Sequence, residues 1–257
     1  MSILIVDERP EERIAVLTLN RPDVRNALNT AILEDLSNVL GRIAKNHDLG
    51  SVVLTGGEKV FAAGADVKEM AALDTLGIHR DARPAFWRQI ADFPKPLIAA
   101  VNGYALGGGC ELALHADMII AGEKAQFGLP EINLGIIPGA GGTQRLTRAV
   151  GKSLAMKMIL SGEFIGSKTA FASGLAAEIT PDDQTINRAI ELARNIAGKS
   201  PVALEMAKQS VLKTFETSLR DGLDFERRSF TILAATEDRE EGISAFLEKR
   251  KPDFKGR

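Results

Sequence analysis

Apolar residues form short runs through the first two thirds of the chain and fall at helical spacing through the last third. SILIVDE (2–8) and RIAVLTLN (13–20) are rich in Ile, Val and Leu and are separated by a short charged turn, which predicts two strands. Pro22 ends the second. Between Asn29 and Lys45 the residues Ile32, Leu36, Val39, Leu40 and Ile43 share one face, which predicts a helix. SVVLTGG (51–57), PLIAAVNG (96–103) and DMIIAG (117–122) are short unbroken apolar runs closed by glycine. Runs of that kind suit strands covered on both faces. Helical spacing intervenes near 80–92, 108–115 and 140–160. Beyond about residue 182 the strand pattern stops, and 183–198, 202–219, 222–235 and 239–250 read as successive amphipathic helices. Leu204, Ala207, Val211, Phe215 and Leu219 make one such stripe, expected to be core.

The pattern therefore gives an α/β chain in two parts. Residues 1–200 alternate strands and helices, and residues 201–257 are helical, with no low-complexity linker between them. The strand-strand-helix spacing suggests a repeated unit, although the residues themselves show no repeat. A length of 257 residues suits one large domain, or a domain with an appendage.

Composition adds a few exclusions. With 45% hydrophobic and 26% charged residues a sizeable core is expected. A net charge of -2 gives no global field for nucleic acid or an anionic membrane. The local exception is KRKPDFKGR (249–257), read as a solvated tail or as an anion contact. Cys110 is the one cysteine, so no intramolecular disulfide forms, which fits a reducing compartment. The opening MSILIVDERP lacks the pattern of a secretory leader. No apolar run is long enough to span a membrane. The expected location is the cytoplasm.

The candidate chemistry sits in VNGYALGGGCE (101–111). A carboxylate, Glu111, follows three glycines between segments that read as buried. Burying an ionised carboxylate without partners costs several kcal/mol, so Glu111 is either paired or there for chemistry. Two other glycine-rich stretches, KVFAAGADVKEM (59–70) and LPEINLGIIPGAGGTQRL (129–146), could present backbone N–H groups to a ligand or could simply be tight turns. The second lacks the glycine that would complete a dinucleotide-binding fingerprint, having Gln144 there. No P-loop occurs. His47, His79, His115 and Cys110 show no metal-ligand spacing. His115 and Cys110 read as structural. Glu131 lies 20 residues beyond Glu111 with a strand pattern between them. The two could meet, or they could be unrelated acids, one of them salt-bridged to an arginine such as Arg145.

Taken together, AAVNGYALGGGCELALHAD, EKAQFGLPEINLGIIPGAGGTQRL, LNRPDVRNALN, FAAGADVKEM and EDREEGISAFLEKRKPDFKG resemble the enoyl-CoA hydratase (crotonase) family across essentially the whole chain. The resemblance implies a spiral of repeated ββα units, with a helical C-terminal region used in trimerisation and trimers stacked into hexamers. It implies an acyl-CoA thioester as substrate, with no metal and no cofactor apart from the CoA that the substrate carries. It implies that Glu111 and Glu131 are the catalytic pair, that the N–H groups of Ala65 and Gly108 form the oxyanion hole, and that Ala63, Ala65, Asp66, Val67, Lys68 and Gly108 line the substrate site. Hydration of a trans-2-enoyl thioester to a 3-hydroxyacyl thioester is the expected reaction. A double-bond isomerase or a non-catalytic acyl-CoA-binding scaffold is the alternative. Lys68 and the basic tail are candidates for the CoA phosphates. Arg80, Arg83 and Arg88 are candidates for the far end of a dicarboxylic acyl chain, or make a solvated helix face.

Overall fold

The computed structural model describes residues 2–257. Among these residues nine strands form two sheets. They are β1 (Leu4–Arg9), β2 (Ile14–Leu19), β3 (Ser51–Thr55), β4 (Leu97–Val101), β5 (Tyr104–Leu106), β6 (Met118–Gly122), β7 (Gln126–Gly128), β8 (Ile165–Gly166) and β9 (Glu178–Thr180). The larger sheet has the order β1-β2-β3-β4-β6-β9, parallel throughout except for the β1–β2 hairpin. The smaller sheet is β5-β7-β8, and a single bridge from Ala62 to Ala105 extends it.

Each repeat follows one course. A strand of the large sheet ends at a corner, and the chain turns into a short strand or bridge of the small sheet. A helix then leads back. The corner after β4 is Asn102-Gly103, where Gly103 has φ +59 and a Cβ would stand 2.1 Å from the Lys59 carbonyl oxygen. That corner admits only glycine. The repeat is thus a spiral of strand-strand-helix turns whose geometry, not its residues, recurs.

The unbroken apolar runs are explained by two cores. Ile14, Val16, Val53, Ile98, Ala100 and Ile120 pack against Ala189, Ile190, Ala193 and Ala197 of helix Thr185–Ala197. The alternate residues Ala15, Leu17, Val52, Leu54, Ala99 and Val101 join the larger core on the other face. That core also takes Ile32, Leu36, Leu40 and Ile43 from helix Thr30–Lys45. The Asn29 side chain caps this helix at its start. At its end the Lys95 ammonium takes the carbonyls of Ile43, Asn46 and Leu49 at 2.6–2.8 Å.

Three expectations need correction. The pattern over 140–160 is two helices, Gly142–Val150 and Lys152–Ser161, because Gly151 at φ +78 breaks the chain. The stripe from Leu204 to Leu219 is not one helix, since Pro201–Lys213 ends and Ser218 caps a new helix, Leu219–Leu233. Nor is the stripe core: Val211, Phe215 and Leu219 are 63%, 50% and 80% exposed, facing away from this chain's own interior. Periodicity reveals that a face is apolar, not what covers it. Finally, the basic tail is folded back. The buried Asp238 carboxylate accepts from the N–H groups of Lys255 and Gly256, and Arg250, Lys255 and Arg257 each pair with an acid.

The C-terminal helices are tied to the sheet by a largely buried pair. Lys208 Nζ lies 2.8 Å from Asp117, which also accepts from Leu97 N–H at the start of β4.

Candidate active site

Glu111 lies on helix Gly108–His115 and is 3% exposed. It is paired, and by backbone. The N–H groups of Ala140 and Gly142 donate to its Oε1 at 2.7 and 2.9 Å. The glycine-rich turn before helix Gly142–Val150 therefore presents its amides not to a nucleotide but to a side chain of this protein. Burial raises the Glu111 pKa, and these two N–H groups oppose the rise. Both donors use Oε1, which leaves Oε2 to a ligand or a water.

Glu131 reaches the same place from a short 3₁₀ turn, Pro130–Leu134. Its Oε1 stands 3.1 Å from where a Cβ on Gly107 would be, and Gly107 directly precedes the Glu111 helix. Its Oε2 is buried with no hydrogen-bond partner among the described residues. Burial pushes the Glu131 pKa up to about 7, its own N–H opposes this, and the Glu111 charge adds to it. The two acids therefore share a site and feel each other. Neither Glu111 nor Glu131 forms an ion pair with Arg145 or any other cation among the described residues.

Gly107 has φ +51 and ψ -126, a conformation L side chains rarely adopt. It lets the helix begin at Gly108 with that N–H unbonded. A Cβ on Gly108 would lie 3.4 Å from Ala65 N, so the two amides border one small space. Neither Ala65 N–H nor Gly108 N–H donates to a protein acceptor among the described residues. At Gly109 a Cβ would stand 2.1 Å from the Ala62 carbonyl oxygen. The three consecutive glycines thus serve the turn, the amide space and the packing against the Ala62 strand in that order.

The other candidates fall into place around these four. Ala63, Ala65, Asp66, Val67 and Lys68 follow in one segment, with Lys68 and Val67 exposed. The Asp66 carboxylate is engaged by Arg21 at 3.0 Å, so what it can offer a ligand is its backbone. Arg83 is paired with Asp81 at 2.6 Å, whereas Arg80 and Arg88 are exposed and have no ion pair among the described residues. His115 is structural: its Nδ1 lies 2.8 Å from the Glu111 carbonyl and its ring is against Trp87, and burial pulls its pKa down to about 4. Cys110 is fully buried and burial raises its thiol pKa, so it is not a nucleophile at neutral pH. No group of three or more His, Cys, Asp or Glu among the described residues is placed to hold a metal ion.

Sequence reasoning missed the Glu111 cradle at Ala140 and Gly142. It also missed the turn Arg21–Asn26, whose Arg25 and Asn26 have φ +51 and +56. That turn borders a cleft at the carboxyl ends of β2 and β3, lined by Arg25, Asn26, Lys59 and Tyr104 among others. The pairing of LNRPDVRNAL with FAAGAD was not readable without coordinates.

Two acids beside two unbonded amides suit chemistry at a carbonyl conjugated to a double bond. Residues 9–257 match the family model described as enoyl-CoA hydratase/isomerase. The chain belongs to the enoyl-CoA hydratase/isomerase family. It is 56% identical over 257 residues to the 2,3-dehydroadipyl-CoA hydratase of Escherichia coli K12, covering 100% of both chains. It is 47% identical over 253 residues to the mitochondrial enoyl-CoA hydratase of Pongo abelii, covering 98% of this chain and 87% of that one. The crystal structure of an enoyl-CoA hydratase from Bacillus anthracis superposes with a TM-score of 0.94 at 39% identity over 100% of both chains. The expected crotonase-type fold is therefore the fold observed.

Proposed function

We propose that the chain is a hydro-lyase that adds water across the 2,3 double bond of a trans-2-enoyl-CoA to give the 3-hydroxyacyl-CoA. The family and its hydratase relatives support the reaction. The observation that carries the mechanism is the convergence of Glu111, Glu131 and the two unbonded amides on one site.

The thioester oxygen accepts from Ala65 N–H and Gly108 N–H. As water adds at C3, negative charge gathers on that oxygen in an enolate-like state, and the amides hold it. Loss of one such donor typically costs about 10²–10³ in rate. Glu111, fixed through Oε1, binds and orients the water with Oε2 and takes its proton. Glu131 delivers a proton to C2. The pair must therefore hold one proton between them, and the raised Glu131 pKa of about 7 provides it near neutral pH. In the reverse direction the roles exchange while the proton count stays the same. No cofactor is required, since CoA arrives as part of the substrate.

The similarity to the Escherichia coli enzyme supports 2,3-dehydroadipyl-CoA as the substrate. A role in phenylacetate degradation in the cytoplasm is part of the same proposal. Arg80 and Arg88, exposed and without an ion pair among the described residues, are available to the substrate's terminal carboxylate. Lys68, Arg25 and Lys59 are available to the CoA phosphates, as are Lys249 and Lys251 of the tail. The exposed apolar side chains of the last helices, among them Phe215, Phe230 and Phe246, support association into trimers or hexamers.

The test is the loss of conjugated enoyl-thioester absorbance with crotonyl-CoA and with 2,3-dehydroadipyl-CoA. A kcat/KM at least tenfold higher for the dicarboxylic substrate supports the finer assignment, and equal values overturn it. Inactivity on both overturns the hydratase reading.

A further inference from the structure

We propose that Arg21 is the positioning residue of the oxyanion site: its guanidinium straps Asp66 to Ala27 and so fixes the direction of the Ala65 N–H. This rests on the reading of Ala65 and Gly108 as the oxyanion donors.

In an extended backbone successive amides point to opposite sides. Leu28 N–H donates to Gly64 O, and Asp66 N–H donates to Leu28 O, both at 2.8 Å. The residues on either side of Ala65 are thus bonded to Leu28, and the Ala65 amide must face away, into the space beside Gly108. Its direction is only as well defined as the register of that short pairing, an isolated bridge with one further bond upstream, from Ala63 N–H to the Arg25 carbonyl at 3.0 Å. No backbone bond holds the pair together beyond Asp66 among the described residues.

Arg21 reinforces it from the side. Nη1 donates to the Ala27 carbonyl, and Nη2 lies 3.0 Å from Asp66 Oδ2. One planar group therefore grips the residue before Leu28 and the residue after Ala65, holding both strands of the bridge at once. Arg21 is itself anchored. Its N–H donates to Asn26 Oδ1, and its carbonyl accepts from Asn26 N–H, both at 2.9 Å. The buried Asn26 amide in turn donates to the carbonyls of Gly56, Val60 and Phe61 on the approach to Ala65. The Arg21 and Asp66 side chains are 17% and 18% exposed, so this is not a loose surface pair. Asp66 is the residue next to the oxyanion donor, and an unneutralised carboxylate there would oppose negative charge on the thioester oxygen. Arg21 cancels it. Downstream, Glu69 accepts from Thr30 N–H at 2.8 Å and secures the far end of the same segment.

The experiment compares the wild type with Arg21→Met and Arg21→Lys. Two quantities are read: steady-state kinetics on crotonyl-CoA, and the infrared carbonyl frequency of bound hexanoyl-CoA carrying ¹³C at the thioester carbonyl. That ligand has no double bond to hydrate, and hydrogen bonds to its carbonyl lower the frequency. The wild type is expected to lower it relative to water. Arg21→Met is expected to lose most of that lowering, with kcat down about 10–100-fold and KM within about threefold. Arg21→Lys keeps the charge but cannot reach both partners, and is expected to fall between. A wild-type frequency in Arg21→Met overturns the proposal, whatever happens to its thermal stability. If Arg21→Met does not fold, a wild-type frequency and kcat in Arg21→Lys overturn it instead. A wild type that leaves the frequency at its value in water overturns the oxyanion reading itself, and this proposal with it.

Discussion

Replacing Glu131 by glutamine should make the protein less active and, at alkaline pH, more stable relative to wild type. The reason lies in the burial of a carboxyl whose Oε2 has no hydrogen-bond partner among the described residues. The ordinary Glu value of 4.5 is pushed up to about 7 in the folded chain. A raised folded value means that the folded state holds its proton more tightly than the unfolded state. The stabilisation from that proton is fully present below about pH 4.5 and is lost as the pH rises to about 7. At about 1.4 kcal/mol per pH unit, the rise from 4.5 to about 7 amounts to at most about 3.5 kcal/mol, and partial solvent access reduces it to about 1–3 kcal/mol. Glutamine does not titrate. The unfolding free energies of wild type and Glu131→Gln, from denaturant melts at pH 5 and pH 8, should therefore differ in their pH dependence by about 1–3 kcal/mol, in favour of the variant at pH 8. Taking the difference between the two pH values removes any fixed effect of placing an amide there. Parallel pH dependence in the two proteins would refute the claim that Glu131 is buried with a raised pKa.

Other consequences follow from the same geometry. The singly protonated acid pair predicts that kcat/KM falls tenfold per unit above about pH 7, equally for hydration and dehydration, and that a pH–rate profile records this limb in both directions. Gly109→Ala places a Cβ 2.1 Å from the Ala62 carbonyl oxygen, so the helix that carries Glu111 must withdraw; kcat should fall about 10²-fold and stability by about 1–3 kcal/mol, read from kinetics and denaturant melts. Lys208→Met leaves the Asp117 carboxylate, 18% exposed, without its cation, and the same melts should show a loss of about 1–3 kcal/mol with the active-site kinetics little changed.

The sequence made some layers of this legible and hid others for physical reasons. Strands β3, β4 and β6 are readable because both faces are covered, so their residues form unbroken apolar runs. Strands β5, β7, β8 and β9 have two or three residues each, too few to show a period. Helix Thr30–Lys45 is readable from its stripe, whereas the stripe through Phe215 misled, because an apolar face left uncovered by its own chain looks the same in sequence as a core face. Glu111 could be singled out as a buried acid that needed partners. That the partners are Ala140 and Gly142 depends on the spiral bringing a turn 30 residues away back to the same point, and backbone donors leave no residue-type signature. Arg21 had no signal at all, since its two partners are 6 and 45 positions away and both are met through a fold.

The most direct measurement is mass spectrometry of the product formed from crotonyl-CoA in ¹⁸O-labelled water. The mechanism predicts one solvent ¹⁸O on C3 of the 3-hydroxybutyryl-CoA made by the wild type, and a rate of label uptake reduced at least about 10³-fold in both Glu111→Gln and Glu131→Gln. Loss of conjugation without ¹⁸O uptake, or uptake at the wild-type rate in either variant, would contradict it.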